Sequence, residues 1–327
     1  MIARNTFRSD SVLYDVESLA DGTAWAVGAR LVGSAPNPTR WCALVERWNG
    51  HAWKLMPAPA GLDDLTVVAV AGRSQVWAFG GHDSTPYAAR WDGRQWTVTA
   101  TGDKNTRVTD AVGMPNGEVW AVQAAQLWRW DGSAWLKTPV PFRVTAIDQR
   151  RGELWAIGDD TVEDVPAAAR WNGASWTMTR MPDFPQVLAE QHVVLKQVAV
   201  GGRGDVWAQG DISADCDENC SPGRILVMHW NGGKWSYWLQ RHTEPVLVSR
   251  IERRRLTGLW SAGDDVVLYM SDGRWARAIV PGIRHLDNHV HDVVVRQGSA
   301  RLWAVGSVSD ENGSSHSISV IWTALTV

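Results

Sequence analysis

The sequence has little of several features that would point to a particular class of protein. It contains 3 cysteines in 327 residues, too few for the disulfide framework of a small secreted scaffold. No apolar run approaches the ~20 residues of a membrane span, and the first ten residues hold no apolar stretch of signal-peptide length. We therefore expect a cytoplasmic protein with no membrane partner, and we expect it to be a monomer.

A surplus of one charge is also missing. The formal net charge is −3, from 32 basic and 35 acidic residues, whereas nucleic-acid-binding domains usually carry a basic surplus. We find no Gly-rich phosphate loop, no Gly-x-Ser-x-Gly elbow and no Walker motif. The sequence therefore predicts no nucleic-acid partner.

Tyrosine and phenylalanine are scarce, at 4 residues each, but tryptophan occurs 22 times. Many of these tryptophans flank an Asn-Gly or Asp-Gly pair. The copies are WNGHAW (48–53), WDGRQW (91–96), WDGSAW (130–135), WNGASW (171–176), WNGGKW (230–235) and MSDGRW (270–275). Such pairs favour two-residue hairpin turns with positive φ at both central residues. Each copy therefore predicts two antiparallel strands joined by a tight turn.

Two further motifs precede each hairpin. One is a Trp-Ala strand, and its copies are AWAVG (24–28), VWAFG (76–80), VWAVQ (119–123), LWAIG (154–158), VWAQG (206–210), LWSAG (259–263) and LWAVG (302–306). The other is a β-branched run further upstream, such as VLYDV (12–16). Each repeat thus predicts four strands, which we name a, b, c and d. Tandem four-stranded repeats of ~40–50 residues are typical of a β-propeller.

We expect an all-β chain forming one seven-bladed propeller of four-stranded antiparallel blades over residues 1–327. The predicted blades are 11–58, 63–101, 106–139, 142–181, 192–240, 246–280, and 288–323 plus 2–8. The last repeat lacks a strand d, and the run IARNTF (2–7) could supply it. We expect this N-terminal strand to complete the last blade and close the ring, which would remove exposed sheet edges.

These motifs resemble the tryptophan-rich bacterial propeller repeats that are loosely described as kelch-like or galactose-oxidase-like. The resemblance covers essentially the whole chain and implies a propeller fold. Propellers of this kind include lectins, lyases, sugar oxidases and protein-interaction scaffolds, so the resemblance implies no single activity.

Most tryptophans follow the repeat, which favours packing between blades. Trp41 falls outside it, at the end of a long connection, and is a candidate for stacking on a ligand. The b–c and d–a connections share one end of a propeller and hold most of the length variation, so we expect a site there. Our candidate ligand-binding residues are Trp41, His82, Asp83, Arg107, Arg143 and His285. The two arginines could bind an anionic ligand or pair with the strand-a acids Asp15, Asp110 and Asp292.

Histidines are the other candidates at this end. His289 and His291 are two apart in a predicted strand and should point the same way, so they could form an acid–base pair or ligate one metal. His192 and His242 precede strand a of their repeats. All four are candidate catalytic residues, and the alternative is that they are loop histidines making hydrogen bonds. A divalent metal is possible, but no third ligand is fixed by the spacing.

The acids of strand a allow two interpretations. Asp15, Asp110 and Asp292 occupy equivalent places. They could form a polar ring in a channel or bond to backbone amides and tie the blades together, and we favour the second.

Two functions are consistent with these patterns. The first is a binding propeller that holds a small molecule, glycan or peptide at the b–c and d–a end. The second is a pathway enzyme, a lyase, cyclase or isomerase, that uses the histidines as acid and base or as metal ligands.

Overall fold

The computed structural model of the protein describes most of the chain. The described residues are 2–5, 10–19, 21–33, 39–160, 165–185, 187, 191–202, 204–214, 224–241, 251–254, 258–262, 266–271, 274–279, 286–295, 301–310 and 317–325. They form 28 β-strands, and they contain no helix that is long and apolar enough to cross a membrane. His242 and His285 lie outside the described residues.

The chain divides into two compact units. The first comprises Met1–Val108 and Leu247–Val327, and the second comprises Thr109–Val246.

The strands of the first unit are β1 (Ile2–Asn5), β2 (Ser11–Ser18), β3 (Ala24–Val32), β4 (Arg40–Trp48), β5 (Trp53–Leu55), β6 (Asp64–Gly72), β7 (Gln75–His82), β8 (Thr85–Trp91), β9 (Trp96–Ala100), β22 (Ile251–Arg254), β23 (Gly258–Ala262), β24 (Val266–Ser271), β25 (Arg274–Ile279), β26 (Leu286–Val295), β27 (Arg301–Asp310) and β28 (Ser317–Leu325). The strands of the second unit are β10 (Val108–Gly113), β11 (Val119–Gln123), β12 (Gln126–Trp130), β13 (Trp135–Thr138), β14 (Arg143–Arg150), β15 (Glu153–Asp160), β16 (Val165–Trp171), β17 (Trp176–Met178), β18 (Gln191–Gly202), β19 (Asp205–Ala214), β20 (Arg224–Trp230) and β21 (Trp235–Arg241). Strand β10 begins at Val108, the last residue before the boundary between the units.

Each sequence repeat forms a four-stranded sheet within the described residues. In the first unit, sheet 1 is β2–β5, sheet 2 is β6–β9, sheet 6 is β22–β25, and sheet 7 has the order β1-β28-β27-β26. In the second unit, sheets 3, 4 and 5 are β10–β13, β14–β17 and β18–β21. Strand β1 pairs antiparallel with β28, with Ala3 opposite Trp322. The first strand of the chain is therefore the fourth strand of sheet 7, as the missing strand d predicts.

The five Asx-Gly hairpins that begin with Trp differ from the predicted two-residue turns. Trp91 pairs with Trp96, so four residues lie in the loop, and Gly93 has a positive φ of 100° whereas Asp92 does not. The Asp92 carboxylate accepts hydrogen bonds from the amides of Arg94 and Gln95, at 2.7 and 2.8 Å. For these five copies the prediction of a two-residue turn was wrong because the Asx side chain caps the following amides and stabilises a longer loop. In the sixth copy, MSDGRW, Ser271 pairs with Arg274, so two residues lie between the strands, as predicted.

A β-bulge in strand a explains the glycine that ends most Trp-Ala motifs. In sheet 2 the register shifts between Leu65 and Val67. The bulge brings the Asp64 carbonyl against strand b, so that a Cβ built on Gly80 would lie 1.9 Å from it. The same close approach occurs at Gly28, Gly158, Gly210 and Gly306. These positions need glycine because no side chain fits beside the bulge.

The tryptophans pack between neighbouring sheets, as the repeat pattern predicts. The fully buried Trp155 of sheet 4 contacts both hairpin tryptophans of sheet 5, with ring centroids 5.7 Å from Trp230 and 5.9 Å from Trp235. The same three-ring cluster forms around Trp25 with Trp91 and Trp96, around Trp120 with Trp171 and Trp176, and around Trp303 with Trp48 and Trp53. Each cluster joins one sheet to the next.

The acids of strand a also link neighbouring sheets. Their carboxylates accept hydrogen bonds from backbone amides of the next sheet, Asp292 from Val16 at 2.8 Å, Asp15 from Val68 at 2.7 Å and Asp110 from Ile147 at 2.8 Å. This confirms the interpretation that they tie the sheets together. Asp148 makes the equivalent bond to the amide of Val200, at 2.6 Å, although the sequence repeat did not single it out.

Candidate functional site

Several predicted site residues meet at one edge of sheets 1 and 2 in the first unit. His82 ends β7, and Asp83 and Ser84 form a two-residue turn before β8, with φ of 45° and 65°. Positive φ at both positions is the type I′ geometry, which an aspartate tolerates well. This b–c connection is therefore a tight turn that presents His82 and Asp83 next to each other.

Asp63, which directly precedes β6, holds this turn. His82 Nδ1 lies 3.0 Å from Asp63 Oδ1, and the amide of Asp83 donates to Asp63 Oδ2 at 3.4 Å. The hydrogen bond to Asp63, followed by the charges of Asp63 and Asp83, raises the pKa of His82 above its ordinary value. The His82 imidazole is therefore protonated over a wider pH range than a free histidine.

These three side chains could also converge on a cation. One potential ligand atom from each of Asp63, His82 and Asp83 lies within 4.8 Å of the others. Among the described residues, this is the group of three His, Cys, Asp or Glu side chains close enough together to hold a metal ion. Two carboxylates and an imidazole are ordinary ligands for a divalent metal. They also form ion pairs with each other, as they do here.

A second ion pair lies at the start of β6. Nη1 of Arg107 lies 2.8 Å from both carboxylate oxygens of Asp64, and the Gly81 amide donates to Asp64 at 3.0 Å. A Cβ on Gly81 would lie 2.7 Å from Arg107 Nη2, so glycine leaves room for the guanidinium. Arg107 therefore pairs with an acid, but this acid is Asp64, which was not among the strand-a acids named as its possible partners. The Arg107 side chain remains 38% exposed.

Tyr14 lies beside this pair and was not predicted as a site residue. Burial raises the pKa of its phenol, the negative charge of Asp64 raises it further, and Arg107 lowers it. Tyr14 occupies the bulge of β2, since the register shifts between Leu13 and Asp15. A tyrosine at the position where sheets 2 and 4 have threonine is the sequence signal that could have identified it.

The histidines of β26 make separate contacts. His291 stacks on Tyr14, with ring centroids 5.5 Å apart, and its Nδ1 lies 2.8 Å from the Leu13 carbonyl oxygen. His289 Nε2 lies 3.1 Å from Ser309 Oγ. A bulge between Val290 and Asp292 interrupts the alternation on which we based their common direction. Their role as an acid–base pair stays a prediction.

The start of β4, which carries Trp41, is bonded to the segment just before Asp63. Trp41 is the second residue of β4 and its side chain is 42% exposed. The amide of Ala43, two residues on, donates to the carbonyl of Leu62 at 3.0 Å, next to Asp63. The charge of Arg40 lowers the pKa of His82, which places the start of β4 near this histidine. We call Tyr14, Trp41, Asp64, His82 and Arg107 the first-unit patch.

The remaining predicted residues belong to the second unit. His192 is a half-buried residue of β18. Arg143 begins β14, and its Nη1 lies 3.8 Å from Asp159 Oδ2. The structure therefore divides the predicted site residues between the two units, and the first unit holds most of those that it describes.

Comparisons with known proteins show the fold. No protein-family profile matches the chain, and no curated protein matches it. Among solved structures it is similar to YCF48 bound to D1 peptide, with 14% identity and a TM-score of 0.61, covering 100% of this chain and 95% of that one.

Two further structures agree with this result. YCF48 from Cyanidioschyzon merolae has 12% identity and a TM-score of 0.56, with 98% of both chains covered. The N-terminal domain of Nup159 has 13% identity and a TM-score of 0.55, covering 98% of this chain and 94% of that one. These neighbours are β-propellers with four-stranded antiparallel blades. At such low identity the similarity shows the fold alone.

Proposed function

We propose that this chain is a binding propeller that holds an extended peptide segment of a partner protein on the first-unit patch. The observation that carries the proposal is that β4, which carries the exposed Trp41, bonds through Ala43 to Leu62, directly before the acids of two charged pairs, Asp63–His82 and Asp64–Arg107. A large exposed aromatic next to oriented charges is the composition of an interface hot spot, in which the ring provides the anchor and the charges determine the orientation of the ligand.

The charges of the patch suit a peptide more than an apolar ligand. Arg107 is held by Asp64 while 38% of its side chain stays exposed, so it could donate to peptide carbonyls or to a carboxylate. Asp63 raises the pKa of His82 and so favours positive charge on its ring. Two of the propeller neighbours occur in complexes with peptide or protein, one as YCF48 bound to D1 peptide and the other as Nup159 in a complex with Dbp5. They support binding of this class.

The seven sheets are proposed to be the blades of one ring over residues 1–327. The support is that each repeat forms one four-stranded sheet and that β1 pairs with β28. Such a ring would leave only short, protected sheet edges and would give the patch a rigid scaffold. A cytoplasmic location and a monomeric state stay predictions from the sequence.

Panning a random-peptide phage library against the full-length protein tests the proposal. Selected peptides are synthesised, and their Kd values are measured by fluorescence anisotropy against wild type and variants. Trp41→Ala should weaken binding by about thirtyfold, the effect of truncating a hot-spot residue worth ~2 kcal/mol. Arg107→Gln should weaken it by about tenfold, because a charge-assisted hydrogen bond is lost.

Leu136→Ala is the matched control, because Leu136 is 42% exposed and belongs to the second unit. It should leave the Kd unchanged. Peptides that bind Trp41→Ala as tightly as wild type would place the peptide site elsewhere. A library that yields no peptide, together with hits on a glycan array, would replace the peptide proposal with a glycan ligand.

A further inference from the structure

A groove in the second unit runs between the turns of sheets 3 and 4. Its volume is about 890 Å³, within the range of roughly 300–1,000 Å³ found for small-molecule sites. One wall is the turn between β10 and β11, the other is the turn between β14 and β15, and Trp171 and Thr177 contribute from the hairpin of sheet 4. The groove has no residue in common with the first-unit patch.

The charge of the groove is its distinctive property. Three arginines line it, Arg150, Arg151 and Arg170, together with two acids, Glu118 and Glu153. Both acids are already engaged by arginines. Glu153 is 9% exposed and lies 3.3 Å from Arg170 Nε, and Glu118 lies 3.6 Å from Nη1 of Arg129.

Trp155 Nε1 also donates to Glu153, at 3.1 Å. The carboxylate of Glu153 therefore has two partners and little exposure, and it offers little negative charge to a ligand. The Arg170 side chain is 47% exposed, so its guanidinium can reach a ligand while its Nε stays on Glu153. The net charge that the groove presents is positive.

The position of Arg151 is unusual for its turn. Arg150 of β14 lies opposite Glu153 of β15 in the strand register, so Arg151 and Gly152 form a two-residue turn, with φ of 54° and 83°. The first position of such a turn normally holds Asn, Asp or Gly, because a longer side chain is disfavoured at positive φ. The turn itself gives no reason for an arginine there. Its side chain is exposed and lines the groove, so its charge is available to a ligand.

We propose that this groove binds a small organic molecule that carries an oxyanion, either a phosphate or a carboxylate. Arginine forks bind both groups through paired hydrogen bonds. Arg151 and Arg170 would hold the anion, and the Trp171 ring would contact the organic part. Phosphate and carboxylate ligands would be bound by the same arginines, and two different probes distinguish them.

Isothermal titration calorimetry on the full-length protein tests the proposal, with glycerol 3-phosphate as the phosphate probe, succinate as the carboxylate probe and glycerol as the uncharged control. Wild type should bind at least one anionic probe and not glycerol, and the affinity should fall as salt is raised. The probe that binds identifies the anion. Failure of both probes to bind wild type overturns the proposal.

Arg151→Asn is the informative variant, because asparagine suits the turn and the protein should fold normally. It should weaken binding by about tenfold or more, the effect of losing a charge-assisted hydrogen bond. Arg94→Asn removes the same charge from an exposed hairpin loop in the first unit and should have no effect. Equal weakening by both variants would mean that the probe senses only the overall charge, and the groove would then not be a site.

Discussion

Replacing Gly80 by alanine tests how the fold positions the candidate site. The alanine Cβ would lie 1.9 Å from the Asp64 carbonyl oxygen and 2.8 Å from the Asp64 carbonyl carbon. Because these are backbone atoms, strands β6 and β7 must separate locally. Overpacking of this kind costs ~1–3 kcal/mol. With an unfolding entropy of about 2.1 cal/mol/K per residue, 2 kcal/mol over 327 residues lowers the Tm by about 3 °C.

Gly72→Ala is the matched control in the same strand pair. A Cβ there meets no atom within 4 Å, and its φ is not positive. Alanine should be neutral or stabilise by ~0.4–1 kcal/mol, because it restricts the unfolded chain. The measurements are thermal and urea unfolding followed by circular dichroism. If Gly80→Ala is as stable as Gly72→Ala, the close approach of the bulge does not constrain the sheet and our explanation of the Trp-Ala-x-Gly motif is wrong.

Gly80→Ala should also affect binding, because the displaced carbonyl belongs to Asp64, which holds Arg107. Gly210→Ala creates the same 1.9 Å approach, to the Val194 carbonyl oxygen in the second unit. Peptides selected as above should bind Gly80→Ala more weakly than Gly210→Ala, although both proteins lose similar stability. Equal affinity for the two variants would show that the Asp64–Arg107 pair does not contribute to the site.

Three further predictions concern the charged contacts and the first strand. In NMR titrations His82 should have a pKa above its ordinary value, and Asp63→Asn should lower that pKa. Because the pKa is raised in the folded state, the stabilisation from the His82–Asp63 pair is complete below the unfolded-state pKa and is lost as pH rises through the folded-state pKa. A His82 pKa at its ordinary value would contradict this prediction. Asp110→Ala should destabilise by roughly 1.5–3 kcal/mol because the Ile147 amide loses a charged acceptor, whereas Asp110→Asn keeps an acceptor and should cost less in urea unfolding; equal losses would show that the bond is unimportant. Deleting residues 1–5 removes β1 from sheet 7 and should lower the Tm and promote aggregation through the exposed β28 edge, and a monodisperse deletion variant of unchanged Tm would argue that this pairing is dispensable.

Much of the site depended on contacts that no local pattern reveals. His82, Asp83 and Arg107 were predicted from their position in connections, and the structure places all three in the first unit. Their partners Asp63 and Asp64 were not predicted, since Asp64 and Arg107 are 43 positions apart in the chain and nothing in either segment specifies the pairing. Tyr14 was missed because its environment is created by sheets 2 and 7.

The sequence by itself determined the four-stranded repeats, the tryptophan clusters and the origin of the fourth strand of sheet 7. The reason is that hydrophobic alternation and turn residues act over a few positions and recur in each repeat, so seven copies reinforce the same pattern. Only the tertiary structure decided the bulges that require glycine and the pairing of Asp63 with His82 and of Asp64 with Arg107. These depend on register and on contacts between sheets, which appear only after neighbouring strands pack together.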